Sequence, residues 1–301
     1  MPDLSVSLGK LKLANPVIVA SGTFDCGEDY QDFVPLKKLG AIVTKTITLH
    51  QRQGNPPPRT AESYQGLLNA IGLENAGVDD FIRWKIPVLA KAGVPVIVSI
   101  AADTPAEFAE LARRLSGMNV IAALELNISC PNLNKPGLIA QDAAETGQVV
   151  RAVRQATQLP LITKLSPNVS DITEIARAAE GAGSDILSLV NTFFALAVDI
   201  KTKRPKLGNV YGGLSGPAIK PQALWMVRKV FKAVRVPLIG MGGIMNAEDA
   251  LEFMLCGASA VACGTVNFVH PRAAEEILQG IKNYLKENKI KSVSELTGSL
   301  C

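Results

Sequence analysis

No CxxC pair and no regular disulfide framework occurs among the five cysteines of this 301-residue chain, an odd number that fits a reducing cytosol. Their spacing also offers no way for this chain alone to ligate an iron–sulfur cluster, and no resident metal is expected. The first residues, Met1-Pro2-Asp3-Leu4-Ser5, lack a charged region followed by a long apolar stretch, so no export signal is expected. The most apolar window, residues 94–102, is far too short to cross a bilayer. A basic stripe interleaved with aromatics is missing as well. The formal charge of +4 is spread along the chain, which argues against nucleic acid as a partner. No Ser/Gly-rich or Pro-rich linker divides the sequence, and Pro56-Pro57-Pro58 falls between recognisable elements, where a stiff loop would serve. The expectation is a soluble cytoplasmic protein with one domain over residues 1–301, its 48% hydrophobic content ample for a sizeable core.

What is present is a repeating pattern. Short β-rich apolar runs occupy residues 17–20, 41–44, 95–100, 122–126, 160–163, 185–190, 237–239 and 258–263. Between most of them lie stretches with apolar residues at helical spacing, among them 147–157, 171–182, 221–234 and 246–255, with Asp, Asn or Pro near their starts. Such alternation means parallel strands joined by crossover helices. Repeated eight times in a chain somewhat longer than the ~250 residues typical of the fold, it predicts an α/β protein of the (β/α)8 TIM-barrel type with long loop insertions. An open doubly wound sheet is the runner-up.

In such barrels chemistry sits at the C-terminal ends of the strands. The residues there are polar or glycine in every run: Ser21-Gly22, Lys45-Thr46, Ser99, Asn127 with Cys130, Lys164, Asn191-Thr192, Gly242-Gly243 and Gly264-Thr265. Lys45 shares strand parity with Ala41 and Val43, and Lys164 with Ile162, so both side chains should project with core residues. Lysine is rarely buried without a partner. Glu125 is set aside as that partner on parity, which leaves a bound anion as the expected one. Gly240-Met241-Gly242-Gly243, ahead of a helix starting near Asn246, and Gly264-Thr265 place bare backbone amides beside helix N-termini and point to phosphate. The pattern does not match the dinucleotide GxGxxG, since Met245 stands where the third glycine should be.

The run at 122–126 ends in Asn127-Ile128-Ser129-Cys130-Pro131-Asn132. Proline cannot donate to a sheet ladder, so Pro131 should end the strand and leave the Cys130 thiol at its rim. Two asparagines and a serine beside it are not explained by apolar packing, whereas Cys26, Cys256 and Cys263 read as small buried hydrophobes. Three insertions, 46–79, 131–146 and 199–217, are long enough to hold substrate or form a lid. The basic run Lys201, Lys203, Arg204 and Lys206 in the third reads as a solvated face.

Taken together with Asn69-Ala70-Ile71-Gly72-Leu73-Glu74-Asn75, Lys164-Leu165-Ser166-Pro167-Asn168 and Gly212-Gly213-Leu214-Ser215-Gly216-Pro217, these motifs resemble the dihydroorotate dehydrogenases nearly end to end, most closely the catalytic chains of the NAD-linked class 1B. The resemblance implies oxidation of (S)-dihydroorotate to orotate with one tightly bound FMN per chain. It implies that Cys130 is the base at C5, and that Lys45, Asn69, Ala70, Ile71, Gly72, Leu73, Asn127, Asn132, Asn191 and Thr192 hold the substrate. Ser21, Lys45, Thr46, Ser99, Asn127, Lys164, Val190 and Gly216 would line the flavin site, with Gly242, Gly243, Gly264 and Thr265 around the phosphate. At Ser99 the family usually has asparagine, so a flavin contact there is expected to be lost or made through water. The quinone-using class is marked by a serine base and an amino-terminal extension, and neither is expected here. A homodimer within a heterotetramer, whose second chain carries FAD and a [2Fe-2S] cluster, is the implied assembly; the fumarate-using class 1A homodimer and a phosphosugar isomerase or lyase barrel are the alternatives.

Overall fold

The computed structural model describes residues 2–30, 32–129 and 138–301. Eight parallel strands close into a barrel: β1 (Val17–Val19), β2 (Ala41–Val43), β3 (Val96–Ile100), β4 (Ile121–Asn127), β5 (Leu161–Lys164), β6 (Ile186–Leu189), β7 (Leu238–Met241) and β8 (Ala258–Cys263). Each pairs with its sequence neighbours, and β8 closes on β1. The (β/α)8 expectation therefore holds and the open sheet does not. Strands covered on both faces carry continuous Val, Ile and Leu, which is why the apolar runs were visible as blocks.

Helices α1 (Pro105–Leu115), α2 (Ala143–Ala156), α3 (Ile172–Gly181), α4 (Lys220–Phe231), α5 (Ala247–Cys256) and α6 (Ala273–Glu287) pack outside, and a helical stretch from Val78 to Leu89 fills the gap between β2 and β3. Side-chain caps start several of them. Thr104 accepts from Glu107 N, Asp142 from Glu145 N and Asp171 from Thr173 N, each satisfying an amide that has no partner within its helix. Beneath the barrel, the hairpin Val6–Leu8 with Leu11–Leu13 buries its leucines in the main core.

Two of the insertions are not independent loops. Thr60–Ser63 and Gly66–Asn69, from the segment after β2, pair antiparallel with Gly212–Ser215 and Phe193–Ala195 from the segment after β6. The four strands form a roof over the C-terminal mouth, with a small core of its own built on Leu68, Ala70 and Leu207. Read as loops in the sequence, these strands lack the apolar blocks of the barrel because one face meets solvent and the other meets the cavity. Lys201, Lys203, Arg204 and Lys206 are exposed at the roof's outer edge, as a solvated face should be.

Candidate active site

A cavity of about 1000 Å³ opens between the strand tips and the roof. From β1 and β2 it receives Ser21, Lys45 and Thr46; from β4 and β5, Asn127 and Lys164; from β6, Val190, Asn191 and Thr192. The roof contributes Asn69 to Leu73 and Gly216, and the ends of β7 and β8 contribute Gly242, Gly243, Gly264 and Thr265. Residues far apart in sequence meet here because every strand delivers its last polar residue to the same end. Cys130 and Asn132, the proposed base and a substrate contact, lie outside the described residues.

Thr46 is the hub of the polar floor. Its Oγ1 meets Ser21 Oγ at 3.1 Å and Ser99 Oγ at 2.9 Å, and accepts from Asn127 Nδ2 at 3.2 Å. Asn127 Oδ1 in turn faces Asn191 Nδ2 at 3.5 Å. Ser99 is fully buried and does not reach the cavity wall; its hydroxyl is used by Thr46. The shorter side chain that stands where an asparagine was expected supports the layer beneath the cavity.

Lys164 is only 7% exposed, and the expectation that an anion alone would neutralise it is corrected by the structure. Glu125 Oε1 stands 3.8 Å from its Nζ. Residues 125 and 127 differ by two and so share a face, which puts Glu125 on Asn127's side of β4, one layer deeper; the opposite parity assigned to it was an error. Asn127 pairs in register with Lys164, and Lys164 with Ser188.

The glycine ends also need one correction. The N-terminus of α5 is filled by the protein itself: Asp249 Oδ2 accepts from Met245 N at 2.8 Å and Asn246 N at 3.2 Å, and Asn246 caps Asp249 N in return. Lys220 is held by Asp249 at 2.6 Å and Glu252 at 2.8 Å. What remains open to an anion is glycine backbone. Gly242 and Gly243 have φ of 124° and 84°, and a Cβ on Gly243 would stand 2.8 Å from both the Gly216 carbonyl oxygen and Lys220 Cβ. Beside them Thr265 Oγ1 donates to Ser215 Oγ at 2.8 Å, tying the roof to β8.

Several residues at or behind the cavity wall were given no role by the sequence reading. Arg52 and Asp103 form an ion pair of 2.6 Å at the outer end of the cavity, where Glu107 accepts from Asp103 N. Asn168 fixes the β6 end, donating to Thr192 O at 2.9 Å and accepting from Phe194 N at 2.9 Å, while its own carbonyl accepts from Gln141. A Ser-Pro-Asn turn after a strand was the available signal for Asn168; nothing in the sequence pairs Arg52 with Asp103.

A family model described as dihydroorotate dehydrogenase matches residues 3–285. Curated relatives from Pelobacter propionicus and Trichlorobacter lovleyi are each 53% identical over 300 residues, covering 99% of both chains, and one from Desulforamulus reducens is 52% identical over 298 residues, covering 99% of this chain and 98% of its own. All three are named dihydroorotate dehydrogenase B (NAD(+)), catalytic subunit.

Proposed function

The chain belongs to the dihydroorotate dehydrogenase family, and from that premise we propose that it oxidises (S)-dihydroorotate to orotate in pyrimidine biosynthesis, using one bound FMN and passing electrons on to NAD. The family is flavin-dependent, and the residues here fit such a cofactor. The cavity of about 1000 Å³ is ample for a tricyclic ring beside a small cyclic acid. At Gly243 no side chain can be placed without collision, which leaves bare backbone where a phosphate would approach. A buried lysine stands on the wall between.

When bound, the flavin supplies a hydride acceptor for C6 of the substrate. Lys45, Asn69, Asn127, Asn191 and Thr192 hold the carboxylate and ring amides, with Ala70 to Leu73 and Asn132 completing that side. Cys130 takes the C5 proton; a thiol reaches its basic form near neutral pH far more readily than a hydroxyl does. Lys164 places positive charge where negative charge arrives. Ser21, Thr46 and Ser99 brace the floor, Val190 and Gly216 line the ring site, and Gly242, Gly243, Gly264 and Thr265 hold the phosphate. The whole chain acts as one barrel domain. Its relatives' name, catalytic subunit, implies a second subunit. That subunit is assigned FAD and a [2Fe-2S] cluster, in a heterotetramer built on a homodimer of this chain. Among the described residues no helix is long and apolar enough to cross a membrane, and a cytoplasmic location completes the proposal.

The observation that carries this reading is the convergence of Lys45, Lys164, Asn127 and Asn191 from four strand ends and Asn69 from the roof on one cavity. Purified protein is expected to be yellow and to release FMN on denaturation; a colourless chain that cannot be reconstituted would favour the isomerase reading. In stopped flow, Cys130→Ala should retain flavin and orotate but bleach ~100- to 10,000-fold more slowly with dihydroorotate. Unchanged bleaching would remove Cys130 as the base. Co-purification of a flavin and iron–sulfur protein from the native host tests the NAD-linked assembly, and turnover with fumarate in its place would assign the other class.

A further inference from the structure

Glu125 is 2% exposed, and its carboxylate does not line the cavity. One oxygen, Oε2, accepts from Ser188 Oγ at 3.0 Å. The other, Oε1, has no hydrogen-bond partner and faces Lys164 Nζ at 3.8 Å, too far for a hydrogen bond. As a stabilising device this is poor: burying a carboxylate is expensive, and an ion pair this deep gains little over apolar packing unless the remaining lone pairs are satisfied. The geometry suits a different task. The carboxylate attracts the ammonium without engaging its N–H donors, so the lysine is held at the cavity wall and, among the described residues, no acceptor takes up those donors. The two charges stand on neighbouring strands in consecutive layers, with Lys164 nearer the mouth.

We propose that Glu125 is a positioning residue for Lys164, which fixes the ammonium on the cavity wall and offsets part of its charge, thereby setting how strongly the site favours reduced over oxidised flavin. The inference rests on the flavin reading above. A lysine without its counter-charge would favour the electron-rich reduced form; a carboxylate one layer below limits that preference, which helps a site that must hand its electrons on.

The test is a redox titration of the bound flavin. Glu125→Gln keeps the shape and the contact to Ser188 but removes the charge, and is expected to shift the reduction equilibrium at least tenfold towards reduced flavin, about 30 mV upward for a two-electron couple. Glu125→Asp, which keeps the charge one methylene farther off, should shift the same way by less. That order, Gln above Asp above wild type, is not produced by a general packing defect, and if the Gln variant fails to fold, Asp against wild type decides. A yellow protein whose potential does not move, or moves downward, overturns this inference alone. A wild-type chain that holds no flavin overturns the functional reading with it.

Discussion

At the scale of single residues, burial separates the thiols. Cys263 is buried in β8 and Cys26 is buried within the segment after β1. Burial pushes both thiols up to about 12, with the Asp25 carboxylate adding to the effect at Cys26. At pH 8 their thiolate fraction is then about a thousandfold below that of an open thiol, so alkylation of the native protein followed by peptide mapping should leave both unmodified, and denaturant should expose them. The same shift has a sign in stability. Below pH 9 both folded and unfolded chains keep the Cys263 proton; above it the unfolded chain releases a proton that the folded one retains, and stability falls by about 1.4 kcal/mol per pH unit until the folded thiol titrates. Cys263→Ala should flatten the alkaline decline of the denaturation midpoint; an unchanged slope would show that other groups cause it. Thr46 carries a different prediction. Thr46→Val strips the buried Ser99 hydroxyl of its partner and should cost about 1–3 kcal/mol by chemical denaturation, while Ser99→Ala, which removes the stranded group, should cost less. Ser99 was visible in the sequence as a departure at a strand tip. Its use was not, because which hydroxyl meets it depends on a neighbouring strand's register.

Among the elements, the roof is where sequence and structure part most. The barrel strands announced themselves as apolar blocks, with 258–263 recovered to the residue and the rest to within two residues at either end. The roof strands gave no such signal, since the pairing that joins them into one sheet, Gly66–Asn69 with Gly212–Ser215, crosses between two insertions and their apolar residues come in runs no longer than Leu67-Leu68 and Phe193-Phe194-Ala195. What could be read were their glycines, whose purpose is packing. A Cβ on Gly213 would lie 2.0 Å from Thr192 Oγ1 and 2.6 Å from its Cβ, so the strand lies directly against the side chain assigned to substrate. Gly213→Ala should push Thr192 aside and weaken orotate binding, measured by titration of the flavin spectrum, with little loss of FMN. Equal loss of both ligands would mean that the roof as a whole had shifted.

In the whole molecule, the tail of the chain is part of the fold. Val293 and Leu296 are buried in the main core, Asp3 bridges to Ser292, and Arg228 donates to the carbonyls of Gly298 and Leu300. Deleting residues 292–301 removes two buried apolar side chains, uncovers the core surface they pack on, and should lower stability by about 3–6 kcal/mol, read as an earlier urea midpoint. A midpoint left in place would show that the segment only rests on the surface. The barrel was legible because its alternation of strand and helix is a property of the chain itself, and the meeting of Lys45, Asn127 and Lys164 followed from strand direction. Glu125 was misjudged and Arg52 with Asp103 went unseen, because layer depth and contacts across loops are set only when the ring closes. The roof has a further consequence for how the protein is made. Its first hairpin, Thr60–Asn69, leaves the ribosome long before the segment carrying Phe193–Ser215 exists. A nascent chain stalled short of residue 212 can therefore hold most of its barrel strands yet present Leu68 to water.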